Sequence, residues 1–160
     1  MHHGPALIDG SPEGHASRLA PPEASAAGAA AGADPDIRLT LPANAENVVL
    51  VRHVVALLAE ALELPRRLVD DAKLAVTEAC TNVVRHAYGG ASGTLDVQLQ
   101  PLDDGLTVIV ADTGRGLSRK PGESDGGLGL PLMAALANSL EIDQPPARGS
   151  CVRMSFRHTG

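Results

Sequence analysis

Residues 64–90 read LPRRLVDDAKLAVTEACTNVVRHAYGG, and this stretch decides the fold. Its apolar residues recur every three or four positions, which predicts one helix with a buried stripe. That stripe comprises Val69, Ala72, Val76, Ala79 and Val83. Pro65 suits the first turn of such a helix, and the pair Gly89 and Gly90 is typical of a helix end.

A second stripe lies about a quarter turn away on the same helix, since each residue rotates the chain by roughly 100°. It carries Glu78, Asn82 and either Arg85 or His86. Because residues four apart are neighbours on a helix surface, a carboxylate, an amide and a basic group share one flank. Taken alone, such a flank is more typical of an ordinary solvated helix face than of a functional site.

Composition restricts the classes of protein to consider. The chain has 160 residues with one Phe, one Tyr and no Trp, so its core must consist of Val, Leu, Ile and Ala. A net charge of −6 without a Lys/Arg run disfavours direct nucleic-acid binding. No apolar run is long enough for a membrane span or a signal peptide, so we expect a cytoplasmic protein. Cys80 and Cys151 lack metal-ligand spacing and are expected to be buried free thiols.

The pattern along the chain predicts a tail followed by one domain. Residues 1–35 are rich in Ala, Gly, Pro and Ser and are expected to be disordered, whereas residues 36–158 form the domain. Asn44 is expected to cap a helix that runs to about Leu62, and a short helix is expected from Gly126 to about Asn138. Alternating residues predict five strands, the second and third of which form a hairpin. The strands are centred on Leu39, Val97, Val108, Ile142 and Met154.

This order of elements predicts an α+β fold, a two-layer sandwich. One layer is a mixed, mainly antiparallel sheet. The helices cover one face of that sheet, and the long helix of residues 64–90 is the central one.

A second chemically distinctive stretch, residues 110–117, reads VADTGRGL. An acid follows an apolar strand and precedes Gly-x-Gly. The carboxylate of Asp112 would accept a hydrogen bond from an exocyclic amine, while Gly114 and Gly116 would let a ligand ring approach the backbone. The alternative is an ordinary Asp-Thr-Gly turn.

A third stretch, residues 126–133, reads GGLGLPLM. Glycines that open a helix expose backbone N–H groups at the positive end of the helix dipole, which suits a phosphate. The alternative is a simple glycine-rich loop. It is not a Walker loop, because no Gly-Lys-Ser/Thr follows, and no βαβ unit makes it a Rossmann fingerprint.

Together and in this order, the three stretches resemble the motifs of the GHKL, or Bergerat-fold, ATP-binding domains. Residues 78–82 are similar to the N box, residues 112–116 to the G1 box and residues 127–130 to the G2 box. Residues 148–151 resemble the closing glycine–threonine strand of that superfamily, with Ser150 in place of the usual Thr. The resemblance covers about residues 36–157.

Within the superfamily, the run EACTNVVRHAY is most similar to bacterial anti-sigma factor serine kinases of the RsbW type. The chain is short and has neither a histidine-phosphorylation helix nor a transducer domain. The resemblance implies a homodimer that binds a sigma factor. It also implies use of ATP with Mg²⁺ to phosphorylate a serine of an anti-anti-sigma (STAS) antagonist.

The resemblance also implies a role for each matching residue. Asn82 would hold Mg²⁺ through its amide oxygen, and Glu78 would be the general base. Asp112 would bind the adenine amine, with Ser150 on the same side. The other nucleotide contacts that it implies are Arg85, His86, Gly114, Gly116, Gly126, Gly127, Leu128, Gly129 and Leu130.

Two departures from the family leave two hypotheses open. The lid, residues 117–126, is short, and Asp125 stands where related kinases carry an arginine that would stabilise the γ-phosphate. Glu78 favours an active kinase, whereas Asp125 favours a non-catalytic adaptor that switches protein partners with ATP or ADP. A stand-alone histidine-kinase module is a weaker third option, because nothing resembles the dimerisation helix.

Overall fold

Five strands and three helices make up the computed structural model, which describes residues 37–115, 129–144 and 149–158. In chain order they are β1 (Ile37–Pro42), α1 (Ala45–Ala61), α2 (Arg66–Asn82), β2 (Thr94–Leu102), β3 (Gly105–Asp112), α3 (Gly129–Leu136), β4 (Ser139–Asp143) and β5 (Ser150–Arg157). All five predicted strands and both long helices are thereby confirmed. The expected tail, residues 1–35, and the expected lid, residues 117–126, lie outside the described residues.

The strands form one sheet in the order β1-β2-β3-β5-β4. All four pairings among these strands are antiparallel, so the expectation of a mixed sheet was wrong for the described strands. The β2–β3 hairpin turns at Asp103 and Asp104, where Leu102 pairs with Gly105. A side chain on Gly105 would overlap the carbonyl oxygen of Phe156 on β5, so the close pairing of β3 with β5 needs glycine at this position.

The core lies between the helices and one face of the sheet. The predicted stripe of α2 is buried throughout, and α1 contributes a matching buried stripe. The sheet contributes alternate residues of its three central strands, because successive strand residues point to opposite faces. Those buried sheet residues are Leu95, Val97, Leu99, Leu106, Val108, Val110, Val152, Met154 and Phe156. The predicted α+β sandwich with helices on one face is therefore confirmed.

The ends of the long helices follow the predicted signals closely. The N–H of Asn47 donates to Oδ1 of Asn44 at 2.9 Å, which confirms Asn44 as the N-cap of α1. Pro65 is the N-cap of α2, one position before the first helical residue, rather than a residue of the first turn. Gly89 and Gly90 have φ angles of 59° and 89°, a conformation that glycine adopts most readily and that ends the helical segment.

The last turn of the long helical segment departs from α-helical geometry. Residues Val83–Ala87 form a π turn directly after α2. At the junction, the N–H of Val83 is shared between the carbonyl oxygens of Ala79 and Cys80. The sequence pattern had predicted one uninterrupted α-helix to the glycines. π turns inside helices occur frequently at functional sites.

The two thiols are free and differ in burial. Cys80 is fully buried in the core, as expected, whereas Cys151 on β5 is only half-buried. Burial raises the pKa of Cys80 from 9.0 to about 12. Burial also raises the pKa of Cys151. Both thiols are therefore protonated at neutral pH.

No helix in the described part of the chain combines the length and the apolar character that crossing a lipid bilayer requires.

Candidate functional site

A cleft opens where the central helical segment, the start of α3 and the adjoining ends of β3 and β5 meet. The residues that line it are Ala79, Asn82, Val83, His86, Ala87, Asp112, Leu130, Ser150 and Val152. Each of the three chemically distinctive stretches contributes to this wall. Elements far apart in sequence thus converge on one place, as the resemblance implied.

Asp112 is the buried acid at one end of the cleft, with a residue exposure of 8%. It is the last residue of β3 and pairs with Ser150, the first residue of β5. Its Oδ1 accepts the N–H of Gly114 at 2.8 Å, and its Oδ2 accepts a short hydrogen bond from Oγ of Ser150. A carboxylate offers about four lone-pair positions, so acceptor capacity remains for a ligand.

The backbone around this acid is closely packed. Gly149 has a φ of 96°, and a side chain there would overlap the carbonyl oxygen of Asp112. Gly149 therefore lets β5 begin directly beside the acid. This position keeps Ser150 within hydrogen-bonding reach of the carboxylate.

Asn82 lines another part of the cleft, and both Glu78 and Asn82 lie beside Gly129, the first residue of α3. A Cβ built on Gly129 would stand 3.3 Å from Oε2 of Glu78 and 3.4 Å from Nδ2 of Asn82. Both polar side chains are half-buried, and among residues 37–115, 129–144 and 149–158 neither makes a side-chain hydrogen bond or ion pair. A carboxylate and an amide thus stand next to the first residue of α3, and no side-chain partner for them lies among the described residues.

The structure also distinguishes the two basic residues that the sequence left as alternatives. Both side chains are exposed, but His86 lines the cleft and Arg85 is not part of its wall. The π turn gives the physical reason, because a π turn contains more residues than an α turn. Each residue after Asn82 therefore rotates the chain by less than it would in an α-helix. His86 consequently stays on the same side of the helical segment as Asn82.

Two hydrogen bonds connect the turn after Asp112 to the end of the π turn and to the residue that follows it. The N–H of Arg115 donates to the carbonyl oxygen of Ala87 at 2.7 Å, and the N–H of Thr113 donates to the hydroxyl of Tyr88 at 3.1 Å. A side chain on Gly114 would overlap the same carbonyl of Ala87. Glycine at this position is therefore required for the two elements to approach so closely.

Some expected site residues fall outside the described ranges. These are Gly116, Gly126, Gly127 and Leu128. The sequence had not assigned Val83, Ala87 and Val152 to the site, although all three line the cleft. Their apolar character marks them as core residues, and periodicity does not tell a core residue from one that also forms a cleft wall.

Comparison with known proteins agrees with this geometry. A family model described as the histidine kinase-like ATPase domain matches residues 41–156, which is most of the chain. The chain belongs to this family.

Curated relatives of this histidine kinase-like ATPase domain carry informative names. A serine-protein kinase RsbW from Bacillus cereus is 33% identical over 121 residues, covering 66% of this chain and 76% of the relative. A serine-protein kinase RsbW from Bacillus pumilus is 33% identical over 124 residues with the same coverage. An anti-sigma F factor from Caldanaerobacter subterraneus is 29% identical over 130 residues, covering 74% of this chain and 91% of the relative.

Proposed function

We propose that this ATPase-family chain is an anti-sigma factor with serine-protein kinase activity. It binds ATP with Mg²⁺ in the cleft and transfers the γ-phosphoryl group to a serine of a STAS antagonist, which controls release of a sigma factor. The observation that carries the proposal is the close approach of Glu78, Asn82 and Gly129 in a site that also holds the buried acid Asp112. The names of the relatives, serine-protein kinase and anti-sigma factor, support the same activity.

The adenine end of the nucleotide is assigned to Asp112. Its carboxylate is buried, is held on both oxygens by the chain itself and keeps lone pairs for an exocyclic amine. Ser150 and the N–H of Gly114 fix the orientation of the acid, so little ordering is needed when the base binds. Gly116, which lies outside the described residues, is the proposed position where the ring comes close to the backbone, whereas Gly114 permits the close packing against Ala87.

The phosphate end is assigned to the side of Asn82 and Gly129. An amide oxygen is a ligand of the kind that Mg²⁺ prefers, and Asn82 has no competing side-chain partner among the described residues. When bound, the ion neutralises negative charge on the phosphates. Residues 126–129, which lead into α3, are the proposed phosphate cradle, with His86 and Leu130 on the adjoining walls.

Glu78 is the proposed general base. It accepts the proton of the serine hydroxyl as the new O–P bond forms and the bond from the γ-phosphorus to the bridging oxygen breaks, releasing ADP. Its position one helical turn before Asn82 puts the carboxylate beside the phosphate end of the site. It therefore faces the region that the acceptor hydroxyl must enter.

A non-catalytic adaptor is the second candidate function. Asp125, which lies outside the described residues, puts a negative charge where related kinases carry an arginine. In this alternative the chain binds ATP or ADP and exchanges protein partners without phosphoryl transfer. Retention of Glu78 argues for the kinase.

Phosphoryl transfer from radiolabelled ATP to the cognate STAS protein tests the proposal. Glu78→Ala should lose about 10²- to 10⁴-fold in rate while its ATP affinity changes little, because only general-base assistance is removed. Asn82→Ala should lose both rate and ATP affinity. Glu60→Ala, which truncates an exposed glutamate of α1, is the matched control and should leave both unchanged.

The same assay separates the two candidates. If the wild type transfers no phosphate to a STAS partner but still exchanges partners with nucleotide state, the adaptor function is correct. Asp125→Arg then becomes informative. Restoring the cation should raise transfer only where the remaining catalytic residues are correctly arranged.

A further inference from the structure

Tyr88 is the residue at which three parts of the site are joined. It follows the π turn directly, and its half-buried ring lies against Gly93, where a side chain would overlap the ring. Its hydroxyl donates to the carbonyl oxygen of Thr94 at 2.5 Å and accepts the N–H of Thr113 at 3.1 Å. The helical segment, the start of β2 and the turn after β3 therefore share one phenolic oxygen.

The bond to Thr113 matters because Thr113 follows Asp112. Asp112, the proposed adenine acceptor, begins this turn. The N–H of the next residue, Thr113, donates to the hydroxyl of Tyr88. The hydroxyl of Thr113 also lies 3.4 Å from that of Tyr88 and is in position to donate to it. Because the phenolic proton goes to the carbonyl of Thr94, the phenolic oxygen is available as an acceptor for the turn.

We propose that the hydroxyl of Tyr88 is a positioning group for nucleotide recognition, fixing the Asp112 turn relative to the helix that carries Asn82. The proposal rests on the nucleotide-binding function given above. A ligand that bridges the two elements needs its base acceptor and its phosphate ligands at one fixed separation. Tyr88 and Ala87, adjacent in sequence, hold the turn through the N–H groups of Thr113 and Arg115.

The role assigned to Tyr88 differs from simple packing. The ring fills the space beside Gly93, and phenylalanine would fill it equally well. Only the hydroxyl reaches Thr113, so Tyr88→Phe removes the hydrogen bond to the turn and keeps the aromatic ring. The variant is therefore expected to fold.

The test compares ATP with inosine triphosphate, which carries a carbonyl in place of the adenine amine, by calorimetry on the full-length chain with Mg²⁺. Tyr88→Phe removes the hydrogen bonds to Thr94 and to Thr113, and it should weaken ATP binding about 2- to 10-fold through loss of the one that holds the Asp112 turn. The preference for ATP over inosine triphosphate should fall by the same factor, because the acid that reads the amine is displaced. General destabilisation would weaken both ligands equally.

Ser155→Ala is the matched control. It removes the hydrogen bond between the hydroxyls of Ser155 and Thr107. Their oxygens are 3.0 Å apart on the sheet face that points away from the helices. It should leave both affinities and their ratio at the wild-type values. A second measurement needs no nucleotide: amide hydrogen exchange at Thr113 should accelerate in Tyr88→Phe and stay unchanged in Ser155→Ala.

The outcomes separate this inference from the function on which it rests. If Tyr88→Phe keeps the wild-type ratio of the two affinities, or Thr113 exchange does not change, the positioning role is wrong. If Asp112→Asn weakens ATP binding while Tyr88→Phe behaves as wild type, only the positioning role falls. If the wild type binds neither nucleotide, the proposed function itself is overturned, and the positioning role with it.

Discussion

At the scale of the residue, the surroundings of Asp112 constrain its chemistry. One carboxylate oxygen faces the N–H of Gly114 and the other faces the hydroxyl of Ser150. The sequence predicted the acid and its turn, because a carboxylate after an apolar strand and before Gly-x-Gly is a local pattern. It also placed Ser150 on the same side, but the hydrogen bond between two residues 38 positions apart depends on strand register.

We predict that Asp112→Asn weakens ATP binding by about 10- to 100-fold. A hydrogen bond to a charged acceptor contributes about 1.5–3 kcal/mol, and asparagine presents an N–H₂ group in place of one oxygen. Calorimetry with ATP and Mg²⁺ measures the change, and thermal unfolding of the ligand-free variant controls for misfolding. Equal affinities for the two proteins would mean that the adenine end has been assigned to the wrong residue.

Cys80 provides a prediction about pH. Its pKa is raised from 9.0 to about 12 by burial, so the unfolded chain loses this proton at a lower pH than the folded chain does. A group with a raised pKa in the folded state stabilises it below the unfolded pKa, and that contribution is lost as the pH rises toward the folded pKa. Between pH 9 and 12 the free energy of unfolding should therefore fall by up to about 1.4 kcal/mol per pH unit.

Denaturant titrations of the wild type and Cys80→Ala at a series of pH values measure this effect. The difference in unfolding free energy between the two proteins should be constant below about pH 8 and should change steadily above pH 9. Cys151 is present in both proteins, so its own titration largely cancels. Parallel curves throughout would contradict the assignment.

At the scale of elements, the helix and strand patterns predicted the strands and the two long helices but not the π turn. Residues 64–90 keep a helical period to their end, and nothing local in the run Val83–Ala87 signals a π turn. The contacts around that turn are tertiary, since the carbonyl of Ala87 accepts the N–H of Arg115 from the β3 turn. The choice between Arg85 and His86 therefore could not be made from the sequence.

The expectation of a mixed, mainly antiparallel sheet was wrong only in allowing a parallel pairing among the described strands. Alternating residues define each strand and its buried face, but they do not encode the neighbour of each strand. The β2–β3 hairpin was predictable from its short turn. The placement of β5 between β3 and β4 follows from the packing of the whole layer.

The exposed face of α1 and the edge strand β1 are together the proposed dimer surface. Leu57 of α1 is 66% exposed, and Val49 and Leu50 are exposed on the same helix. Light scattering should give about twice the chain mass of 16.4 kDa at high micromolar concentration. Leu57→Asp should yield monomer, because a charge would enter the apolar contact.

Leu74→Asp is the matched control for that experiment. Leu74 is an exposed leucine of α2, at 44%, and lies outside the proposed surface. The variant should remain dimeric. A monomeric wild type, or loss of the dimer in the control alone, would contradict this choice of surface.

At the scale of the whole molecule, residues 36–158 are proposed as the complete ATP-binding domain. The first 35 residues are too poor in large apolar side chains to offset their own ordering entropy. A chain that begins at Asp36 should therefore keep the ATP affinity and the unfolding midpoint of the full-length protein. Loss of either quantity would assign a structural role to the first 35 residues.

The chain has a single tyrosine and no tryptophan, and that tyrosine is Tyr88. Almost all of the intrinsic ultraviolet fluorescence of the protein therefore arises beside the Asp112 turn, from the phenol that is bonded to Thr94 and Thr113. Tyr88 is thus an intrinsic fluorescent probe of the Asp112 turn in the wild-type protein. Stopped-flow measurement of tyrosine fluorescence can follow how fast the Asp112 turn responds to an added nucleotide, without a label and without a substitution.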